Sequence, residues 1–254
     1  MLVTVLDLIS DLDRLLRPDA FDDYSPNGLQ VPGPEQVRTV ATGVTASVDL
    51  FERAAAEEAQ LVLVHHGLFW KGMPQHVDQA LYRRLRPLFL NDIALAAYHL
   101  PLDAHPEVGN NALLARGLGC EGLEPFALHE GQPIGFAGRF GGDGIPPEQL
   151  AERVRTLTGR EPLLLAYGPA RVRTIGIVSG GAAGYLDDAI AAGLDAFLTG
   201  EPAERVLAQA REGAIHFLAG GHYATETFGV RALGDRLSET FGIRHVFLDD
   251  PNPI

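Results

Sequence analysis

The feature that most restricts the fold of this chain is a regular alternation of short apolar runs with amphipathic stretches, punctuated by glycine and proline. Val37–Val44 and Leu61–Val64 have the composition of buried strands, and Leu50–Gln60 between them carries apolar residues at helical spacing. A further apolar run, Ile93–Tyr98, follows a basic helical stretch over residues 81–90. Strands that alternate with helices in this way predict an α/β fold.

The second half of the chain repeats part of the first half. Val37–Val40 recurs as Val172–Ile175 at an offset of 135 residues (172 − 37), and Ala94–Asp103 is similar to Phe217–Glu226 at an offset of 123 (217 − 94). Identity between the copies is low, so chance similarity of two strand–helix–strand units is the alternative. We predict two related α/β lobes that pack face to face.

The repeat predicts an N-terminal lobe over residues 1–126 and a C-terminal lobe over residues 127–254. The C-terminal strand is free to pack on the first lobe instead. Residues 130–144 are rich in glycine, which predicts either the lobe boundary or an irregular hairpin.

Charge and cysteine content exclude several kinds of protein. The 254 residues include 33 acidic and 20 basic side chains, a net charge of −13, which argues against broad binding to nucleic acid or to an anionic membrane. We find neither a bilayer-spanning apolar stretch nor the basic start and apolar core of a secretion signal. The single cysteine, Cys120, excludes an internal disulfide and a cysteine-based zinc site. We expect a soluble, cytoplasmic protein.

Two adjacent histidines, His65 and His66, directly follow the predicted strand Leu61–Val64. Ligands of open α/β sheets bind beyond the carboxyl ends of the strands, where this pair opens the next loop. Adjacent side chains in such a bend point in different directions, so the two imidazoles could bind two metal ions, or one ion and a neighbouring ligand. The alternative is an exposed histidine pair on a loop.

A histidine and a carboxylate follow two other predicted strands. His99 and Asp103 come after Ile93–Tyr98, and His222 and Glu226 come after the apolar run over residues 215–219. His222 and Glu226 are four residues apart, so in a first helical turn the two side chains share a face.

Both pairs have a structural alternative. Asp103 could cap the helix that begins near Gly109, although the asparagines that follow this glycine lie closer to the cap. Thr225 could be an N-cap, with Glu226 complementing the dipole of the helix that follows.

The two histidine–carboxylate pairs coincide at the offset of 123, so two related lobes would place one pair on each side of a cleft. In the second lobe the counterpart of the adjacent histidines is Gly200-Glu201, which offers at most one ligand. Imidazoles and carboxylates without a thiolate suit divalent ions such as Zn, Mn, Fe, Co or Ni. Bridging carboxylates can hold two such ions about 3.5–4 Å apart.

The other residues and motifs that could form a functional site are weaker candidates. Cys120 lacks a basic neighbour, which argues against a reactive thiolate. Ser179–Gly184 resembles a phosphate-binding loop but lacks the spacing of a dinucleotide fingerprint and the lysine of a P-loop, so a tight strand-to-helix turn is favoured. Four histidines without a carboxylate at metal-ligand spacing are predicted to be packed or surface residues: His76, His129, His216 and His245.

Six short stretches, spread along most of the chain, carry a family resemblance. They are Pro26–Val31, Thr42–Ser47, Val64–Trp70, Tyr98–Pro106, Leu198–Glu201 and Ala219–Glu226. In these stretches the chain resembles the dinuclear-metal-centre hexameric proteins, often named GTP cyclohydrolase I type 2 homologues. The spacing of the stretches makes the match specific, and the chain is similar to the short form of the family, without a central insert.

The resemblance implies a ligand set for two divalent metal ions per subunit: His65, His66, Asp103, His222 and Glu226. It further implies that the two carboxylates bridge the ions and that His99 stands beside them as a catalytic acid/base or supporting group. It also implies two interlinked α/β lobes with the metal site in the cleft between them, and a toroidal homohexamer with the sites facing an internal cavity.

Two functions from different classes follow from this reading. One is a metal-dependent hydrolase that acts on a nucleotide or related heterocycle, and the other is a metal-binding regulatory or chaperone-like protein without turnover. Catalysis requires an open coordination position and a proton-transfer group. Five side chains shared by two ions leave room for water, and His99 can move a proton, which favours the hydrolase and a small-molecule substrate.

Overall fold

The computed structural model describes residues 2–254 and shows a mixed α/β chain with short strands and short helices. Its strands are β1 (Gly28–Val31), β2 (Thr39–Thr45), β3 (Leu61–His66), β4 (Ala94–Ala97), β5 (Glu121–His129), β6 (Gln132–Arg139), β7 (Leu163–Ala166), β8 (Thr174–Ile177), β9 (Ala196–Thr199), β10 (His216–Ala219) and β11 (Arg244–Phe247). Its α-helices are α1 (Val5–Leu16), α2 (Val48–Ala56), α3 (Gln79–Leu90), α4 (Leu100–Asp103), α5 (Asn110–Gly117), α6 (Pro147–Thr158), α7 (Leu186–Ala191), α8 (Val206–Glu212), α9 (His222–Thr225) and α10 (Thr227–Phe241). Across residues 2–254, each helix is too short or too polar to cross a membrane.

The chain divides into two compact units, each built on one sheet. Unit 1 comprises the chain up to Leu102 together with Gly229–Asp250, and unit 2 comprises Asp103–Phe228 together with Pro251–Ile254. This division differs from the predicted boundary at 126/127, because α5 packs on strands of the second sheet and so belongs to unit 2. The C-terminal strand β11 returns to unit 1, where it pairs with β2.

The sheet of unit 1 has the order β1-β4-β3-β2-β11. The last four strands are parallel and β1 is an antiparallel edge. Leu50 and Phe51 of α2 and Leu88 of α3 pack with Val62 and Val64 in one buried cluster. Because β3 lies between β4 and β2, its carboxyl end lies beside the carboxyl ends of both neighbours.

The sheet of unit 2 has the order β5-β6-β8-β9-β10-β7, with β8, β9 and β10 parallel and the other strands antiparallel. A tight turn at Glu130 and Gly131 joins β5 to β6, with φ angles of 47° and 83°. Positive φ at both central residues matches the twist of the flanking strands. Of the two predictions for the glycine-rich stretch after residue 130, the hairpin is therefore the one that the structure shows.

The predicted repeat is confirmed at the level of strands and hydrogen bonds. β2, β3 and β4 of unit 1 correspond in order and direction to β8, β9 and β10 of unit 2. Gln60 Oε1 accepts hydrogen bonds of 2.9 and 3.0 Å from the two backbone N–H groups at the start of β2. Asp195 Oδ2, at an offset of 135, accepts the equivalent bonds of 2.8 and 3.0 Å at the start of β8.

The third strand of the repeat is shifted by one residue from the sequence match. Leu61 pairs with Ala94 in unit 1, and the equivalent Ala196 pairs with His216 in unit 2, so these strands are related by 122 residues (216 − 94) rather than 123. The match within this strand is therefore wrong by one residue. The extra residue lies in the turn after the strand, where Gly221 has a φ of 96°.

Candidate metal centre

The two adjacent histidines end the central strand of the unit 1 sheet. The sequence predicted that they open a loop, but β3 continues through both of them. His65 is fully buried and His66 is half-buried, as expected for consecutive residues that face opposite sides of a strand. Their ring centroids nevertheless lie 4.8 Å apart, because the strand ends at this point.

His99 joins this pair from the neighbouring strand. It follows β4, and its ring centroid lies 4.9 Å from that of His65 and 5.6 Å from that of His66. One ring nitrogen from each histidine lies within 4.8 Å of the others, an arrangement that could hold a metal ion. Trp70 packs against two of these rings, with its ring centroid 5.2 Å from that of His99 and 5.8 Å from that of His66. We call His65, His66 and His99 the histidine group.

Hydrogen bonds at Nδ1 orient all three rings. His65 Nδ1 lies 3.0 Å from the carbonyl oxygen of Tyr98, and His66 Nδ1 lies 3.1 Å from Thr45 Oγ1. A carbonyl oxygen can only accept, so His65 donates from Nδ1, and Nε2 is the nitrogen that would coordinate a metal. Histidine ligands of metals are commonly held in this way by an acceptor at the opposite nitrogen.

Asp23 holds the third ring, and its only signal in the sequence is its place shortly before the Pro26–Val31 stretch. Its carboxylate accepts from His99 Nδ1 at 2.7 Å, from Asn27 Nδ2 at 2.9 Å and from the backbone N–H of Leu100 at 2.9 Å. Burial opposes ionisation of this carboxyl, but these bonds and the charge of His99 outweigh it and lower its pKa to about 2.

In unit 2, His222 and Glu226 form a pair across the single turn of α9. His222 Nε2 lies 3.2 Å from Glu226 Oε2, and His222 Nδ1 bonds to Glu201. Burial alone would lower the pKa of His222, but the two glutamates outweigh it and raise the pKa to about 9. A metal that binds this imidazole must therefore displace a proton at neutral pH.

Asp103 is buried beside the turn that follows β8. Its Oδ1 accepts from Asn110 Nδ2 at 2.8 Å and from Ser179 Oγ at 3.1 Å. Gly180, which follows Ser179 in this turn, has no space for a side chain, because a Cβ there would collide with the Glu226 carboxylate. This turn therefore lies against both carboxylates. We call Asp103, His222 and Glu226 the unit 2 donors.

Three backbone N–H groups of the turn after β8 donate to side chains of the protein itself. The N–H groups of Ser179, Gly180 and Ala182 bond to side-chain oxygens of Asn111, Thr225 and Thr199, at 2.7, 3.1 and 3.2 Å. These groups are not directed at a ligand, which agrees with the tight turn rather than with a phosphate-binding loop. Asp103 is not the N-cap of α5, because Gly109 holds that position, and Thr225 is the last residue of α9. Glu226 directly precedes α10, so the predicted complement to the dipole of that helix is compatible with the structure.

Other histidines and the cysteine have structural contacts. His216 accepts from the N–H of Gly168 and contacts the carbonyl of Pro169 at 2.7 Å, so both ring nitrogens are satisfied. His245 contacts the carboxylate of Asp235 and the hydroxyl of Thr42. The local sequence did not show the carboxylate contact. Thr42 is fully buried, so it cannot contact a substrate. Burial raises the pKa of the Cys120 thiol to about 12 although Arg153 opposes it, which agrees with an unreactive cysteine.

The donor chemistry fits divalent metals in both units. Three imidazoles are presented in unit 1, and one imidazole and two carboxylates are presented in unit 2. Such nitrogen and oxygen donors are the ones that Zn, Mn, Fe, Co and Ni accept in proteins. The fold and these residues define a class of two-sheet α/β proteins with histidine and carboxylate donors at the carboxyl ends of parallel strands.

The chain belongs to the Duf34/NIF3 (NGG1p interacting factor 3) family, whose model matches residues 3–253. It is 49% identical over 253 residues to a protein of Pseudomonas aeruginosa named GTP cyclohydrolase 1 type 2 homolog, with 100% of both chains covered. A protein of Vibrio cholerae with the same name is 43% identical, with 98% of this chain and 99% of that protein covered. The family resemblance found in the sequence is confirmed.

Solved structures show the same fold. Protein ybgI, described as of unknown function, is similar with a TM-score of 0.93 and 40% identity, over 99% of this chain and 100% of that one. TTHA1606 from Thermus thermophilus is similar with a TM-score of 0.91 and 42% identity, over 99% and 100%.

Proposed function

We propose that this chain binds two divalent metal ions through His65, His66, Asp103, His222 and Glu226 and acts as a metal-dependent hydrolase on a nucleotide or related heterocycle. The observation that carries the proposal is the oriented histidine group, in which the Nδ1 atom of each ring is engaged by an acceptor or hydroxyl. The names of the relatives, GTP cyclohydrolase 1 type 2 homolog, favour the same class of substrate.

Bound ions would supply Lewis acidity and would make a water molecule nucleophilic near neutral pH. The chain itself supplies a proton carrier with a fixed ring. Asp23 accepts from His99 Nδ1, so Nε2 is the atom at which His99 takes up or delivers a proton. A carboxylate that fixes a catalytic imidazole in one tautomer is the arrangement used by many hydrolases.

Replacement of His99 by glutamine tests this role. We expect turnover to fall roughly 10²–10⁴-fold while the metal content stays at the wild-type level. If His99→Gln instead loses metal, His99 is a ligand and another group moves the proton. If metal-loaded wild type turns over no nucleotide, phosphate ester or heterocycle in a broad screen, the regulatory or chaperone-like alternative replaces the hydrolase.

A homohexamer in the cytoplasm, with a small-molecule substrate and without a nucleic-acid or membrane partner, belongs to the same proposal. Its support is the family resemblance and the net charge of −13. Light scattering at micromolar concentration measures the assembly, and a monomer there would contradict the hexamer.

A further inference from the structure

An arginine that the proposed function does not use lies over the turn before His222. The helix α6 ends at Thr158, and Gly159 reverses the chain in the left-handed conformation (φ 73°). The next residue, Arg160, is half-buried, and its side chain lies over Gly221. A Cβ at Gly221 would meet Arg160 Cδ at 2.6 Å, Nη1 at 2.7 Å and Nε at 3.0 Å. The glycine thus leaves the space that the guanidinium group occupies.

The equivalent place in unit 1 is filled differently. There the strand β4 is followed by Tyr98, which is fully buried and donates from its hydroxyl to Asp13 at 2.6 Å. In unit 2 no large side chain of the turn fills this place. The turn contains one extra residue, Gly221, and the side chain of Arg160 lies over it. The two copies therefore share a strand and a histidine, but in the second copy a guanidinium group lies against the glycine that precedes that histidine.

Within residues 2–254 the Arg160 guanidinium has no hydrogen bond or ion pair, although the chain carries thirteen excess acidic charges. The carboxylate that follows Arg160 in the chain and a carboxylate that contacts His222 have other partners. Glu161, the next residue, lies 3.9 Å from Arg155, and Glu201 bonds to His222. A half-buried guanidinium without an internal counter-ion suits an external anion, because desolvating a charge costs free energy unless it is paired.

We propose that Arg160 binds a phosphate group of the substrate beside His222. The planar guanidinium matches the oxygens of a phosphate with two parallel hydrogen bonds, which a lysine does not reproduce. Divalent cations and arginine together are the usual means by which enzymes neutralise phosphate oxygens. This assignment rests on the proposed function and narrows its substrate class to phosphate-bearing small molecules.

The test is titration of the full-length protein with inorganic phosphate by calorimetry, in both metal-free and zinc-loaded forms. We compare wild type with Arg160→Gln, Arg160→Lys and, as a matched control, Arg173→Gln, an exposed arginine at the opposite end of the unit 2 sheet. Loss of a charge-assisted hydrogen bond predicts about 10- to 100-fold weaker phosphate binding in Arg160→Gln. Arg160→Lys should recover part of the affinity, and Arg173→Gln should bind like wild type.

Metal content and thermal midpoint are measured on the same samples. Weaker phosphate binding with unchanged metal content and midpoint supports the assignment. Equal phosphate binding by wild type and Arg160→Gln overturns it, as does a wild type that binds no phosphate in either form. A wild type without stoichiometric zinc contradicts the metal proposal alone, because the metal-free titration still reports on Arg160.

Discussion

The two units contain the same three parallel strands, yet the ends of these strands carry different chemistry. In unit 1, β3 ends in two histidines, and Tyr98 separates β4 from His99. In unit 2, β9 is followed by Gly200-Glu201, and two glycines separate β10 from His222. The repeated scaffold thus fixes where the candidate donors lie, while the residues at or after each strand end decide whether imidazoles or carboxylates are presented there.

The two copies also hold their histidines differently. In the histidine group, His65 bonds to a backbone carbonyl and His99 to the single carboxylate of Asp23. In unit 2, His222 contacts two glutamates. Burial opposes protonation of His222, but Glu226 and Glu201 outweigh it and raise its pKa. The following predictions test this difference.

The largest expected effect is loss of metal on removal of a unit 2 carboxylate. Asp103→Ala and Glu226→Ala should each lower the metal content from the proposed two ions per chain to about one or none, since each carboxylate is proposed to contact both ions. Elemental analysis of the purified proteins measures this. The matched control is Asp235→Ala, which removes a carboxylate bound to a histidine outside the donor groups. Full occupancy in both test variants would contradict the ligand assignment.

A smaller effect is expected at the residue that orients His99. In Asp23→Asn, the amide can donate to Nδ1 and so favours the tautomer with hydrogen on Nε2, which is wrong for proton uptake at that atom. We expect activity to fall about 10- to 100-fold. Asp22→Asn, a change at the exposed neighbouring aspartate that contacts Lys71, should have no such effect. Activity equal to wild type in Asp23→Asn would remove Asp23 from the mechanism.

The same aspartate predicts a pH dependence of stability. Its pKa falls from 3.8 to about 2 on folding, so the unfolded chain binds its proton more tightly. The stabilisation is complete above about pH 4 and is lost as the pH falls towards 2, with a size of roughly 2 kcal/mol. Urea unfolding of wild type between pH 2 and pH 6 should show this loss, and Asp23→Asn should show a shallower acid limb.

The smallest effects are expected at Gln60 and Asp195, the matched acceptors of backbone N–H groups at the start of β2 and of β8. Gln60→Ala should cost about 1 kcal/mol of unfolding free energy, and Asp195→Ala about 2 kcal/mol, because hydrogen bonds to a charged acceptor contribute more. Both replace an acceptor of two backbone N–H groups in equivalent positions. Chemical denaturation of the two variants compares them, and a larger cost at Gln60 would show that context outweighs charge here.

Much of the architecture was predictable because it depends on local pattern. Apolar runs of four to eight residues and the recurring Val-Arg-Thr motif identified the parallel strands and their repetition. The candidate donor residues were recognisable too, since they lie at the ends of these strands or within a few residues after them. The adjacent histidines and the two histidine–carboxylate pairs needed no tertiary information to be singled out.

Tertiary structure alone decided what lies around those residues. Asp23 reaches His99 across 76 positions of sequence, and β11 crosses from the end of the chain to pair with β2. Neither contact leaves a periodic signal, because hydrogen bonds between distant segments depend on chain geometry rather than on spacing. The one-residue shift at Gly221 was hidden for the same reason: strand register is set by backbone pairing, whereas the sequence match followed the histidines.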